Sequence, residues 1–471
     1  MIEQSEAMPQ VSEYYAHIEQ ARKLAPALIK RLSNKLDPVQ HRQLLDPAVE
    51  EFNPDFTYPN LFDMTPEEIE EKKQKINHGL TEAAKLEQAG HRPTVVEQFD
   101  KVKAVDGALN LSLIELAQHL QSTPDEETAH QFMEVSHQLT GEVDQHLYQG
   151  IVNSLHSLVG QVTDATPNAK QIADELLARL PASAGESRIV GLSPEVFDAY
   201  QDAYNKIFGQ WLEEIIPEKS GKYSAQDMIE VFQRALQGMK FDELGWAAEA
   251  DDDATSIKIS MEDKKVIIPT ERAALSREEL GARVVHEIGH IMRGWNGSSI
   301  SRNAEHGLPD YVDAEEGLMA YGEQFMRGRA TANTTYVERY LGAGLMSGVL
   351  DDEKKDFRAV FAAMWRARAI FDNQGRINLG YDLTGEDLAT AREDSLMNAQ
   401  RLFRGSDGKL PGVGWYKDIA YYDGLAKLTQ FLESFKVRYG LENVHLLFAA
   451  KFDPTNSMHN QYLGMPPFGE R

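Results

Sequence analysis

No cysteine occurs among the 471 residues. That absence excludes a disulfide scaffold, a thiolate nucleophile, an iron–sulfur cluster and any zinc site built on sulfur, so a metal site here must use His, Asp or Glu. Basic side chains are scarce too: 48 Lys and Arg stand against 74 Asp and Glu, a formal net charge of −26. Such a chain repels nucleic-acid phosphate and anionic membrane surfaces unless a basic patch intervenes, and neither nucleic acid nor membrane is expected as a partner. Long apolar runs are also missing, with nothing near the roughly 18 residues of a membrane helix. The opening MIEQSEAMPQVSEYY carries acids where a secretory leader needs a positive start and an apolar stretch. The expectation is a soluble, cytoplasmic protein. With 42% hydrophobic and 9% aromatic residues, the chain lies outside the acidic disordered class and can build a sizeable core.

Up to about residue 180 apolar residues recur at three- and four-residue spacing, the helical period. Thr65-Pro66-Glu67-Glu68 and Thr123-Pro124-Asp125-Glu126 offer helix starts: a capping oxygen, a proline at the first helical position and an acid three residues on. The small, polar Pro181-Ala182-Ser183-Ala184-Gly185 suggests a hinge or boundary, dividing the chain into a helical N-terminal region, 1–185, and a second part, 186–471. After a further helix opened by Ser193-Pro194 the period changes. Ser256 to Ser260 alternates, Met261 to Lys264 is turn-like, and Lys265-Val266-Ile267-Ile268 follows before Pro269, a β-hairpin pattern. Helical patterns then resume to about residue 450. The fold class expected is α+β, mostly α-helical, with one small sheet near the middle. Asp251-Asp252-Asp253 lacks the glycine and distant glutamate of a calcium loop and is expected to be a solvated loop.

One helix stands apart. Ser276 and Glu279 form a capping box, Leu280, Val284, Ile288 and Ile291 make an apolar stripe, and Asn296-Gly297 is a stop signal. His286 and His290, four apart, share one face, and Glu287 lies beside them. H-E-x-x-H is the pattern of zinc hydrolases, two imidazole ligands and a general base on one turn. A catalytic zinc needs a third protein ligand. The candidate segment is Asp313 to Glu323, a second helix beginning after Pro309; Glu316 is the first choice, Glu315 the rival, and His306 in the intervening loop another nitrogen donor.

Residues 316–323, E-G-L-M-A-Y-G-E, resemble the E-G-F-A-x-Y-x-E stretch of gluzincin aminopeptidases, in which the glutamate before glycine binds zinc. The resemblance selects Glu316 over Glu315 and makes Glu323 a partner for a ligating histidine. More widely, the chain resembles a zinc-peptidase family that includes the microtubule-associated tyrosine carboxypeptidases. The similarity covers Phe52 to Pro59, Met133 to Gly141, Val266 to Pro269 with the H-E-I-G helix, Asn296-Gly297, Gly307-Leu308-Pro309, Arg404-Gly405, and Tyr416 to Gly424, close to that family's K-D-x-x-Y-x-x-G. Many of its members carry one more residue between the two histidines, and Met319 stands where a small residue is common, a packing change.

The resemblance implies a zincin-like catalytic domain over 186–471 and a Zn²⁺-dependent metallopeptidase, of carboxypeptidase type, acting on a peptide or protein terminus. Glu287 would be its base. The matching block makes Tyr421 the candidate oxyanion donor, with Tyr422 and Lys417 as rivals. Arg404, Arg293 and Lys417 are candidate cations for a terminal carboxylate. Lys265 to Ile268 is placed to pair with a bound peptide as an edge strand. Acidic tubulin tails are disfavoured as substrate by the −26 charge. Three alternatives stand beside this reading: a noncatalytic protein that keeps zinc as a structural clamp, an aminopeptidase, and an amidase on the same metal scaffold.

Overall fold

The computed structural model describes residues 16–24, 28–46, 52–252, 254, 256–271, 273–300 and 307–464. The chain forms two compact units, Met1–Ile189 with Thr334–Ile419, and Val190–Asn333 with Ala420–Arg471. In chain order the first unit holds α1 (Leu28–Leu32), β1 (Lys35–Leu36), α2 (Pro38–Leu45), β2 (Phe56–Thr57), α3 (Pro66–Gln88), α4 (Val95–Ser122), α5 (Glu126–Thr140), α6 (Gln145–Val159) and α7 (Pro167–Leu177). The second unit follows with α8 (Pro194–Tyr204), α9 (Gln210–Ile215), α10 (Ala225–Gly238), β3 (Ala247–Asp251), β4 (Lys258–Ser260), β5 (Lys265–Pro269), α11 (Arg277–Ser298) and α12 (Val312–Arg327). The chain then returns to the first unit for α13 (Thr334–Ser347), α14 (Phe357–Asn378) and α15 (Gly385–Leu402), and ends in the second with α16 (Ala420–Tyr439) and α17 (Ser457–Tyr462).

The fold is therefore mostly helical with small sheets. The first crossing, at Ile189, falls near the expected boundary at 185; residues 334–419, assigned on sequence to the second part, belong to the first unit. Composition does not change at either later crossing. At Ile419 the chain passes directly from a 3-10 turn (Tyr416–Ile419) into α16. The Pro181 to Gly185 stretch is tied down rather than loose: Asn153 donates to the carbonyls of Ala184 and Glu186 and accepts from Ser183 Oγ and Ala184 N.

Helix starts follow local chemistry. Thr65 caps α3 in a reciprocal box with Glu68, and Pro66 takes the first helical position. At the second expected start the cap is Asp125, not Thr123: Thr123 N closes α4 on His119 O, while Asp125 accepts from Thr128 N. A carboxylate one residue from the helix satisfies its free N–H groups better than a hydroxyl three residues away.

The expected hairpin is present, β4 antiparallel to β5 with Ile259 opposite Val266. An unforeseen third strand, β3, pairs parallel to β5, giving the order β3-β5-β4, and α10 packs on β3 and β5. Lys265 to Ile268 is thus the central strand. Both its ladders are occupied, which removes it as the edge available to a peptide. Asp251 ends β3 rather than lying in a loop. A two-stranded sheet, β1 with β2, was likewise not foreseen in the first unit.

In the second unit α11 packs on α12, which packs on α16. Leu280, Val284, Ile288 and Ile291 are fully buried, each worth about 2 kcal/mol of transfer free energy. α11 ends at Ser298, one residue past the Asn296-Gly297 stop signal, and Asn296 donates to Phe448 O. α12 and α16 meet backbone to backbone at Gly317 and Gly424: a Cβ on Gly317 would fall on Gly424, and one on Gly424 on the Asp313 carbonyl. Met319 fills the space that a Cβ on Gly289 would need.

The first unit is held by buried ion pairs. Arg401 grips Asp418 through Nη2 at 2.9 Å and through Nε, and Arg339 lies 3.9 Å away. Burial alone would raise the Asp418 pKa, but the arginines outweigh it and hold the carboxyl far below its usual range. A depressed carboxyl stabilises the fold above its unfolded pKa, about 4, and loses that contribution as pH falls below it. Arg401→Met is expected to destabilise the first unit by about 3 kcal/mol in urea unfolding at pH 7. The gap from wild type should narrow as pH drops below about 4.

Candidate metal centre

α11 and α12 assemble the site. His286 and His290 lie one turn apart with ring centroids 4.9 Å from each other. Glu316 Oε2 on α12 is 3.7 Å from His286 Nε2 and 3.7 Å from His290 Nε2. Together these three residues form a cluster able to hold one metal ion. Zinc bonds of about 2.0–2.2 Å in a tetrahedron would bring such donors to roughly 3.4 Å apart, so small side-chain adjustments complete the set.

Outer contacts decide which imidazole nitrogen faces this point. His286 Nδ1 is 2.9 Å from Glu323 Oε1, and the same oxygen accepts from Arg283 Nη1 at 2.6 Å. His290 Nδ1 is 2.7 Å from Glu315 Oε1, while Glu315 Oε2 pairs with Arg293 Nη1 at 2.7 Å. A carboxylate beside each Nδ1, hydrogen-bonded at His290 and ion-paired at His286, favours the proton on that nitrogen and leaves Nε2 towards the shared position. The donors and their orientation therefore fit a metal such as zinc.

The same contacts set the electrostatics of the metal-free site. Burial would raise the Glu323 carboxyl, but Arg283 and His286 bring it down to about 2. Burial would likewise raise Glu315, yet Arg293 and His290 keep it below its usual value. For His290 burial pulls the imidazolium pKa down, while Glu315 and Glu316 lift it to about 9. Glu287 differs from the other acids. It is buried, desolvation dominates and raises its pKa, and among the described residues no group hydrogen-bonds or ion-pairs with its carboxylate.

Of the residues singled out on sequence, the structure brings together His286, Glu287, His290, Glu316, Glu323 and Glu315, the last as the His290 partner. His306 lies outside the described residues. Arg293 is fully buried and spent on Glu315 and on the carbonyls of Ala450, at 2.7 Å, and Phe452, at 2.8 Å. That removes it as a cation for a substrate carboxylate. Tyr421 is half-buried in the first turn of α16. Tyr422 is buried, its hydroxyl accepting from Val190 N at 3.1 Å. Arg404, buried, and Lys417, half-buried, belong to the first unit. Sequence reading missed Arg283, whose i−3 spacing from His286 was a usable signal, and Lys451, buried near the site with no motif around it.

Residues 380–460 match the model of the microtubule-associated tyrosine carboxypeptidase family, which supports kinship with it. The matched stretch contains Arg404, Lys417, Tyr421 and Gly424 but not the helix of His286 and His290. No curated protein matches the chain. Among solved structures, a Pyrococcus furiosus carboxypeptidase described as apo-Mg is 12% identical, with 99% of this chain and 97% of that one covered and a TM-score of 0.34.

Two substitutions probe the centre without touching a ligand. Glu323→Gln is expected to weaken zinc affinity by about 10- to 100-fold in chelator competition, through loss of the acceptor on His286 Nδ1. Gly424→Ala, which forces α16 away from the turn carrying Glu316, should also lower zinc affinity; unchanged affinity in both would separate the outer contacts from metal binding.

Proposed function

We propose that the protein is a zinc-dependent metallopeptidase of the carboxypeptidase type, removing residues from the terminus of a peptide or protein. The observation that carries this reading is Glu287: a buried carboxylate, unengaged among the described residues, next to two histidines whose outer nitrogens are both held by acids. A structural clamp has no use for such a group, which costs stability where it stands. The family match over 380–460 supports the hydrolase class.

His286, His290 and Glu316 would hold a zinc ion in a gluzincin-like donor set, which would supply a Lewis acid for the scissile carbonyl and make adjacent water more acidic. Glu287 accepts the proton of the attacking water and returns it to the leaving amine. Its raised pKa suits both halves of that transfer. Glu323 and Glu315 hold the two rings in place throughout. Tyr421 is the proposed donor to the developing oxyanion, and Tyr422 a proposed contact to substrate.

Glu287→Gln is expected to retain about one zinc per chain while losing hydrolysis by about 10³-fold or more. Digestion of a peptide library, read by mass spectrometry with this variant as control, should show single residues lost from C-termini. Losses from N-termini or internal cuts would replace the carboxypeptidase assignment, and full activity in Glu287→Gln would remove the mechanism.

A further inference from the structure

Beside the metal centre lies a buried cation that none of the steps above uses. Lys451 is 6% exposed. Its segment is fixed on three sides: Arg293 takes the carbonyls of Ala450 and Phe452, the residues before and after it, and Leu308 N donates to the Lys451 carbonyl at 3.0 Å. The two arginines that touch the acids beside the histidines each have that acid at hydrogen-bond distance, Arg283 with Glu323 and Arg293 with Glu315. Among the described residues the Lys451 ammonium has no hydrogen bond and no ion pair. Its charge is nonetheless coupled to the site: Glu315, Glu316 and Glu287 act on it, and it acts on Glu315. Burial is the largest influence and lowers its pKa.

A buried ammonium without a partner opposes folding, because desolvation is not repaid by a local anion. A zinc ion on Glu316 would weaken its support further by neutralising that acid. Lys451 therefore stands on a backbone fixed through Arg293 to the Glu315 side of the centre, and among the described residues no anion of the chain pairs with it.

We infer that Lys451 is the cation that receives the carboxylate of a substrate's C-terminus, making it a specificity residue. The inference rests on the metallopeptidase reading for the identity of the substrate. It replaces Arg293, whose guanidinium is consumed internally, and it explains how a chain of net charge −26 can attract a carboxylate at this one point: the attraction is local and desolvated rather than long-range.

The test is binding without turnover. Zinc-loaded Glu287→Gln protein is titrated calorimetrically with N-acetyl-Ala-Ala-Phe as the free acid and as its C-terminal amide. The acid is expected to bind at least 10-fold more tightly. Adding Lys451→Met should bring the two within about 2-fold at unchanged zinc content, and Lys451→Arg should keep part of the preference. An acid preference that survives Lys451→Met, or none in the parent, overturns the assignment. Thermal unfolding of the zinc-loaded proteins gives a second readout: Lys451→Met should match or exceed its parent, whereas a fall of several degrees would make Lys451 a structural counter-charge and also overturn the inference. If the native protein cleaves no peptide but the acid preference depends on Lys451, the peptidase reading fails and the carboxylate site stands. Cleavage with no such dependence has the opposite meaning.

Discussion

Two carboxylate–imidazole contacts, a 2.9 Å ion pair of Glu323 with His286 Nδ1 and a 2.7 Å hydrogen bond of Glu315 with His290 Nδ1, underlie the whole centre. Each places an acid against an Nδ1, and each carboxylate is anchored in turn by an arginine, Arg283 or Arg293. Without the arginines, burial would favour the protonated acids, which are poorer acceptors for an N–H. Without the acids, the rings would be free to turn their Nε2 atoms away from Glu316. The acids beside the two histidines are each paired with an arginine, whereas among the described residues Glu287 and Lys451 have no ion pair. Uncompensated charge inside a protein is expensive, and its concentration here is what separates a reactive site from a packed one.

Bringing a carboxylate from α12 to a pair of histidines on α11 requires close helix packing, and glycine provides it. Gly317 directly follows Glu316 and meets Gly424 on α16 with no side chain between them, so α12 is seated by contact with bare backbone. On its other side Gly289 receives the Met319 thioether. Met319 thus takes up volume on the metal helix itself, a change of packing partner in a residue type suited to filling irregular gaps. The glycines of E-E-G-L and of the Tyr416 to Gly424 block, separate in sequence, are two halves of one contact.

Much of this was legible beforehand. The helix of His286 and His290 showed its capping box and apolar stripe, because both arise from interactions within a few residues. The β4–β5 hairpin was visible for the same reason. What escaped depends on distant partners. β3 reads A-A-E-A-D, a composition with little strand preference, and is a strand only because β5 offers it a ladder and α10 covers it. Its presence moves β5 from edge to centre. The acceptor that Asn296 finds at the end of its helix, Phe448 O, likewise lies far along the chain. The return of 334–419 to the first unit had no local mark, since both crossings occur at ordinary helix termini.

By itself the sequence determined the chemistry open to this protein: no sulfur, a net negative charge, two histidines and a glutamate on one helical turn, and a glutamate-glycine pair downstream. Such properties belong to residue types and short spacings, which hold in any fold that keeps the helix. Tertiary structure decided which of the neighbouring acids faces the metal position and which holds a ring, consumed Arg293 internally, and placed Lys451 beside the centre. Those choices turn on contacts between segments tens to more than a hundred residues apart, where only packing sets distance and burial, and so only packing sets which charges are paired.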